Sequence, residues 1–155
     1  MKLLFLWLVA LLSSCAAPPL APNVVQEDLA LLEASCRWYI ADQQQRGGST
    51  QVLFVEASPG VDAPRALLER LAALGRIVRP ASAASENRSS GTVDRESGAP
   101  GSLLRVRAIV RLPDGRVEIG FEAYAGPEGA EGVTLILLRE AAGWRVESVR
   151  DRWIS

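Results

Sequence analysis

The chain contains no histidine, and its one lysine, Lys2, occupies the second position. Serine or cysteine hydrolysis through a histidine base is thereby excluded, and so are the usual zinc ligand sets. A serine and lysine pair fails for want of a lysine beyond residue 2. No Gly-rich phosphate loop of the Walker or dinucleotide type is present. No run of alternating oxygen ligands would make a calcium loop. No cofactor is therefore expected, and neither catalytic residues nor metal ligands are assigned. Cysteine is as scarce, with Cys15 and Cys36 alone. Cys36 lies in an apolar helical stripe, where a buried thiol behaves as a small hydrophobe. Excess charge is also missing. Past residue 14 sixteen arginines face eighteen acidic residues, a formal charge of −2, which leaves no electrostatic footprint for nucleic acid.

What is present first is a leader. Lys2 precedes ten apolar residues, Leu3 to Leu12, and then Ser13, Ser14 and Cys15. That is the order of a secretory signal peptide. Ten apolar residues are about half of the roughly 20 that a membrane-crossing helix needs. Leu12-Ser13-Ser14-Cys15 resembles the bacterial lipobox. The resemblance implies cleavage before Cys15, acylation of that cysteine, palmitate being one such chain, and residence on a lipid bilayer in the cell envelope. An ordinary signal peptide cut near Ala16 or Ala17 is the alternative. Two or more acyl chains suffice for stable anchoring where one does not. With Cys15 lipidated, Cys36 has no intramolecular partner and a disulfide framework is excluded. Ala16 to Asn23 holds three prolines and no charge, so 15–23 reads as a lipidated cysteine and a semi-extended tether. In Gram-negative lipoproteins an Asp directly after the cysteine retains the protein in the inner membrane. Ala16 in that place implies the outer membrane, facing the periplasm.

Removing residues 1–14 leaves 141 residues, enough for one domain with a core, here 24–155. Asn23 and Gln26 resemble a capping box, and Leu29, Leu32, Cys36 and Ile40 carry helical spacing up to Gln45, before Gly47-Gly48. Val52-Leu53-Phe54-Val55 predicts a strand covered on both faces. Asp62-Ala63-Pro64 opens a second helix with Leu67, Leu71 and Leu74 on one face and Gly75 at its end. Arg76 to Pro80 predicts a second strand, parallel to the first across a right-handed crossover. Ala81 to Gly101 has Val93 as its one large apolar residue and reads as a flexible loop, mobile or functional.

Beyond it the pattern is a β-meander. Leu104, Val106, Ala108 and Val110 alternate with Arg105 and Arg107, and Val117 to Ala123 alternates with Glu118 and Glu122 outward. A turn at Leu112-Pro113-Asp114-Gly115 that pairs Arg111 with Arg116 sets Val110 opposite Val117, Ala108 opposite Ile119, Val106 opposite Phe121 and Arg105 opposite Glu122. Val133 to Arg139, apolar on both faces, predicts an interior strand. Trp144 and Val146 fall on even positions and Val149 and Trp153 on odd ones, so a bulge or strand end is expected near Ser148.

The C-terminal half, with its Gly143-Trp144-Arg145-Val146 strand and closing Trp153-Ile154-Ser155, is similar to uncharacterised small bacterial proteins that end in a tryptophan-rich strand. That resemblance implies no activity. A helix followed by a curved sheet ending in Trp-x-Val also resembles the cone-like fold of the nuclear transport factor and ketosteroid isomerase class. The chain departs from it in the strand and helix inserted before the sheet, and in lacking a histidine or aspartate pair to point inward. The pattern as a whole predicts an α+β fold of two helices packed on a mostly antiparallel sheet of about six strands.

For function, Glu86, Asp94, Glu96, Asp114 and Asp151 read as solvated charges. Two segments offer partner-binding residues: Ser85, Glu86 and Arg88 in the long loop, and Arg150 and Trp153 at the end, where core packing of Trp153 is the simpler reading. The expected role is a non-catalytic envelope lipoprotein that binds a protein partner or acts as an accessory subunit. The alternative is a small-ligand binder or carboxylate-based enzyme of cone-like fold.

Overall fold

A computed structural model describes residues 22–47, 51–87, 91–127 and 129–155. The expected leader, the lipobox-like segment with Cys15, the expected tether up to residue 21 and Arg88 lie outside the described residues. The chain runs α1 (Pro22–Gln45), β1 (Val52–Ser58), β2 (Val61–Asp62), α2 (Arg65–Ala72), β3 (Val78–Pro80), a short 3-10 turn (Ala81–Ala83), β4 (Ala84–Asn87), β5 (Gly91–Asp94), β6 (Gly101–Arg111), β7 (Val117–Tyr124), β8 (Ala130–Glu140) and β9 (Gly143–Ile154). Two helices on a mostly antiparallel sheet make an α+β fold, with seven strands in the main sheet rather than six. Its order is β2-β1-β6-β7-β8-β9, with β3 paired to β1 and a separate two-stranded sheet, β4-β5. No described helix is long and apolar enough to cross a membrane.

Helix α1 buries two adjacent rows, Leu31-Ser35-Tyr39 and Leu32-Cys36-Ile40, each at a spacing of four, which gives the broad stripe that a core-facing helix needs. Ser35 is tolerated there because its hydroxyl donates to the Leu31 carbonyl at 2.9 Å. Expected Leu29 is half-buried at the margin. Helix α2 adds Leu67 and Leu71 to the same core. It starts after Pro64 with no side-chain cap, so Asp62 is not part of its start. Asp62 sits in β2 and accepts from the Ser82 N–H and hydroxyl at 2.7 and 2.6 Å.

Strand β1 is buried along Val52–Val55 on both faces, as its unbroken apolar run requires. Leu53 and Val55 face the helices, while Val52 and Phe54 join Leu103 in a second apolar cluster. It pairs parallel with β3 (Leu53 opposite Val78) and with β6 (Val52 opposite Gly101). The cover of that second cluster corrects the reading of 81–101 as a loop. The described part forms the 3-10 turn and the hairpin β4-β5, with Ala84 opposite Asp94, and Ala81, Ala83, Ala84 and Ala99 pack on Phe54 and its neighbours. Small side chains suffice because Phe54 supplies the bulk. Thr92 N–H donates to the Ala125 carbonyl at 2.8 Å and ties the hairpin to the end of β7. Gly91 backs so closely on Ala125 that a Cβ there would collide with its carbonyl.

The β6-β7 register also needs a correction. Leu112 N–H donates to the Arg116 carbonyl at 2.8 Å, so the loop is Pro113-Asp114-Gly115, with Gly115 at φ +85°. Three-residue loops of this kind place a glycine in the left-handed region and move the register by one. Arg111 therefore faces Val117, Val110 faces Glu118 and Ile109 faces Ile119. A bulge between Val106 and Ala108 restores the expected pairs Val106 with Phe121 and Arg105 with Glu122. Ile109 rather than Val110 turns to the core, and Val110 is left 50% exposed.

In β9 the phase change near Ser148 is resolved by two irregularities. The β8 partner steps from Thr134–Asp151 to Leu135–Val149, and from Ile136–Ser148 to Leu137–Val146. Bulges, together with Arg145, Glu147, Arg150, Asp151 and Arg152, blunt a twelve-residue edge strand against unwanted pairing.

Candidate binding surface

The helices take one face of the sheet, and the hairpin takes part of the other near β1 and β6. Over β7, β8 and β9 this outer face carries Glu118, Gly120 and Glu122, then Gly132, Thr134 and Ile136, then Trp153, Asp151 and Ser148, as the strand registers align them.

At its centre Glu122 is buried, 7% exposed, between two arginines. Arg105 donates to Oε1 at 2.7 Å, and Nε of Arg107 approaches Oε2 at 2.8 Å. The bulge at 106–108 is what brings both guanidinium groups to one carboxylate, since strict alternation around a single register would carry Arg107 a full step further along the strand. Arg105 also lies 5.8 Å from the Tyr124 ring centroid. The expected ion pair of Arg105 with Glu122 is present, and Arg150 pairs with Glu118 at 2.8 Å.

One strand pair further, Trp153 lies opposite Gly132 and its indole leans over that glycine. A Cβ at residue 132 would collide with Cε2, Nε1 and Cζ2 of the ring. Glycine is required there by close approach, with no demand on φ. Trp153 is thus not a core residue: it stays 50% exposed, beside Ile154 at 71%.

The candidate residues divide into two groups. Ser85 and Glu86 pair with Val93 and Thr92 in the hairpin, Ser85 half-buried and Glu86 exposed. Arg150 and Trp153 lie on β9, with β7 and β8 between the groups. The alternation of β6 and β7 already turned Arg105, Arg107 and Glu122 outward, whereas the seat of Trp153 on Gly132 was not legible in the sequence pattern. Ile154 pairs with Glu131 and so points to the helix side of the same edge.

The acidic residues have local tasks. Asp94 is buried and accepts from the Glu96 N–H at 3.2 Å and the Ser97 hydroxyl at 3.0 Å, and Arg79 stands 3.5 Å away. These contacts, the Glu96 N–H foremost, hold its carboxyl below the usual aspartate range. Glu96 pairs with Arg79 at 3.0 Å, and Asp114 with Arg116 at 2.7 Å, which lowers the Asp114 carboxyl likewise. Glu86 and Asp151 are exposed. Burial pushes the Cys36 thiol up and the Tyr39 hydroxyl up to about 12, so neither ionises near neutral pH.

Open depressions mark the described surface. One of about 300 Å³ opens where β1 diverges from β6, lined by Leu32, Ala57, Val106 and Ile109. Among the described residues no group of three or more Cys, Asp or Glu is arranged to hold a metal ion. What the surface can do chemically is bind: an exposed indole beside guanidinium groups is the combination that anchors protein interfaces. No family model matches this chain, and neither does any curated protein or solved structure.

Proposed function

We propose that the chain is the precursor of a membrane-anchored envelope lipoprotein, exported by residues 1–14, acylated on Cys15 and non-catalytic, whose folded part binds a protein partner or serves as an accessory subunit. In an organism with two membranes it resides in the outer one and faces the periplasm. The observation that carries the binding role is the outer face of β7, β8 and β9, which no described element covers and on whose edge Trp153 stands 50% exposed. Tryptophan is among the residues that dominate interface energies. The non-catalytic reading draws support from chemistry already spent. With no histidine in the chain, carboxylates are the remaining acid–base groups, and the buried ones, Glu122 and Asp94, are each taken up by neighbouring donors.

The small-ligand or carboxylate-enzyme alternative on a cone-like fold calls for a deep apolar pocket with one free buried carboxylate. Glu122, the nearest match, opens instead on a flat face between two guanidinium groups.

Labelled palmitate tests the anchor. Incorporation into the wild type and its loss in Cys15→Ser are expected, and an unlabelled wild type in the soluble envelope fraction would sink the reading. For the binding role, a photo-crosslinking residue at 153 should yield one discrete protein adduct that the same residue at 141 does not. Indistinguishable adduct patterns at the two positions would remove the argument from Trp153.

A further inference from the structure

The direction of α1 relative to the sheet is readable from its ion pairs. Near its start, Glu27 and Asp28 meet Arg111 at 3.1 and 3.2 Å, and Glu27 meets Arg139 at 3.6 Å. These arginines close β6 and β8, beside the turns at 112–116 and 141–142. Near its end, Asp42 meets Arg152 at 3.1 Å, and Arg46 meets Glu131 at 2.9 Å. Arg152 also stacks 5.5 Å from the Trp38 ring centroid, and Ile154 pairs with Glu131. So the tether enters at the end bearing the two turns, and the Trp153–Ile154 edge lies at the other end of a 24-residue helix. That helix is about 36 Å long at 1.5 Å per residue.

From Cys15 to Pro22 there are seven Cα steps, which span at most about 25 Å. The rod is longer than its leash. A domain held at one end by about 25 Å of chain can tilt toward the bilayer, but it cannot invert a 36 Å axis, because inversion would carry the attachment point farther from the lipid than the tether reaches.

We infer that the tether keeps the Trp153–Ile154 end on average farther from the bilayer than the start of α1, so that this apolar edge is presented to a protein of the aqueous compartment in preference to lipid headgroups. The inference rests on the lipid anchor proposed above. Near-neutral charge agrees with it, since at a formal −2 past residue 14 the chain gains no net electrostatic attraction to anionic lipid.

The test uses the lipidated protein in phosphatidylethanolamine and phosphatidylglycerol vesicles that carry a headgroup acceptor dye. Donors are attached singly at Ala141→Cys and Ile154→Cys. Buried Cys36, 0% exposed, stays unlabelled. Energy transfer should be several-fold stronger from 141 than from 154. Twelve Gly and Ser residues inserted between Ala17 and Pro18 extend the reach to about 68 Å, beyond the length of the rod, and should erase most of that difference. Equal transfer from the two positions in vesicle-bound protein, or stronger transfer from 154, overturns the orientation and makes lipid the occupant. A difference that survives the longer tether shows that the leash is not its cause and overturns the argument. Failure of the anchor itself is read separately, as Cys15→Ser protein that still floats with the vesicles.

Discussion

Replacing Glu122 by glutamine keeps its shape and hydrogen-bonding reach but removes the charge that Arg105 and Arg107 share. The size of the loss follows from how deeply each partner is buried. The carboxylate is 9% exposed at its side chain, Arg105 22% and Arg107 58%. An exposed pair is worth at most about 1 kcal/mol, whereas breaking a buried one costs about 3 to 5. Arg107 belongs to the first class and Arg105 lies between the two, so Glu122→Gln should cost about 2 to 3 kcal/mol. For a domain of this size that is a fall of roughly 6 to 12 °C in Tm. Arg107→Ala should lose no more than about 1 kcal/mol, and Arg105→Ala more, because its aliphatic stem and its contact with Tyr124 go as well. Calorimetry on residues 22–155 measures all three. A Glu122→Gln variant that melts within about a degree of wild type would refute the reasoning, and so would an Arg107→Ala variant as damaging as Arg105→Ala.

Two further outcomes separate the observed fold from its closest rivals. Val110→Asp should change stability by less than about 0.5 kcal/mol, while Ile109→Asp should unfold the domain or cost several kcal/mol, because only Ile109 turns to the core; the reverse order in thermal melts would restore a hairpin without the bulge. Cutting residues 82–99 down to a short Gly and Ser linker should uncover Phe54 and Val52 and cost on the order of 3 kcal/mol, from roughly 120 Å² of apolar surface at 25 cal/mol/Å²; an unchanged Tm would mean that the hairpin covers nothing.

The stretch 81–101 shows where composition misleads. Its serines, alanines and glycines hold almost no apolar bulk, and a segment that cannot form a core of its own reads as a loop. Its described part packs on Phe54, nearly thirty residues upstream and fully buried beneath its alanines. Nothing in the local sequence announces that debt to a distant aromatic ring. Trp153 is the converse: large aromatics are usually buried, and this one rests on Gly132 with half its surface open because the second irregularity of β9 turns it to the outer face.

Local rules decided much. The Leu32-Cys36-Ile40 row of α1, the unbroken run of β1, the alternation in β7 and the phase slip near Ser148 each follow from a period of 3.6 or 2 and survive in the fold, because burying one face is the dominant favourable term and needs only the right spacing. Absence was legible too, since a chain without histidine cannot use it anywhere. Tertiary structure alone decided which residue of a bulge faces inward, which carboxylate two arginines share, and which end of the sheet stands far from the start of α1. Those are relations between segments tens of residues apart in sequence. A one-residue shift at Gly115 or Arg107 changes them without altering the local pattern that the chain presents.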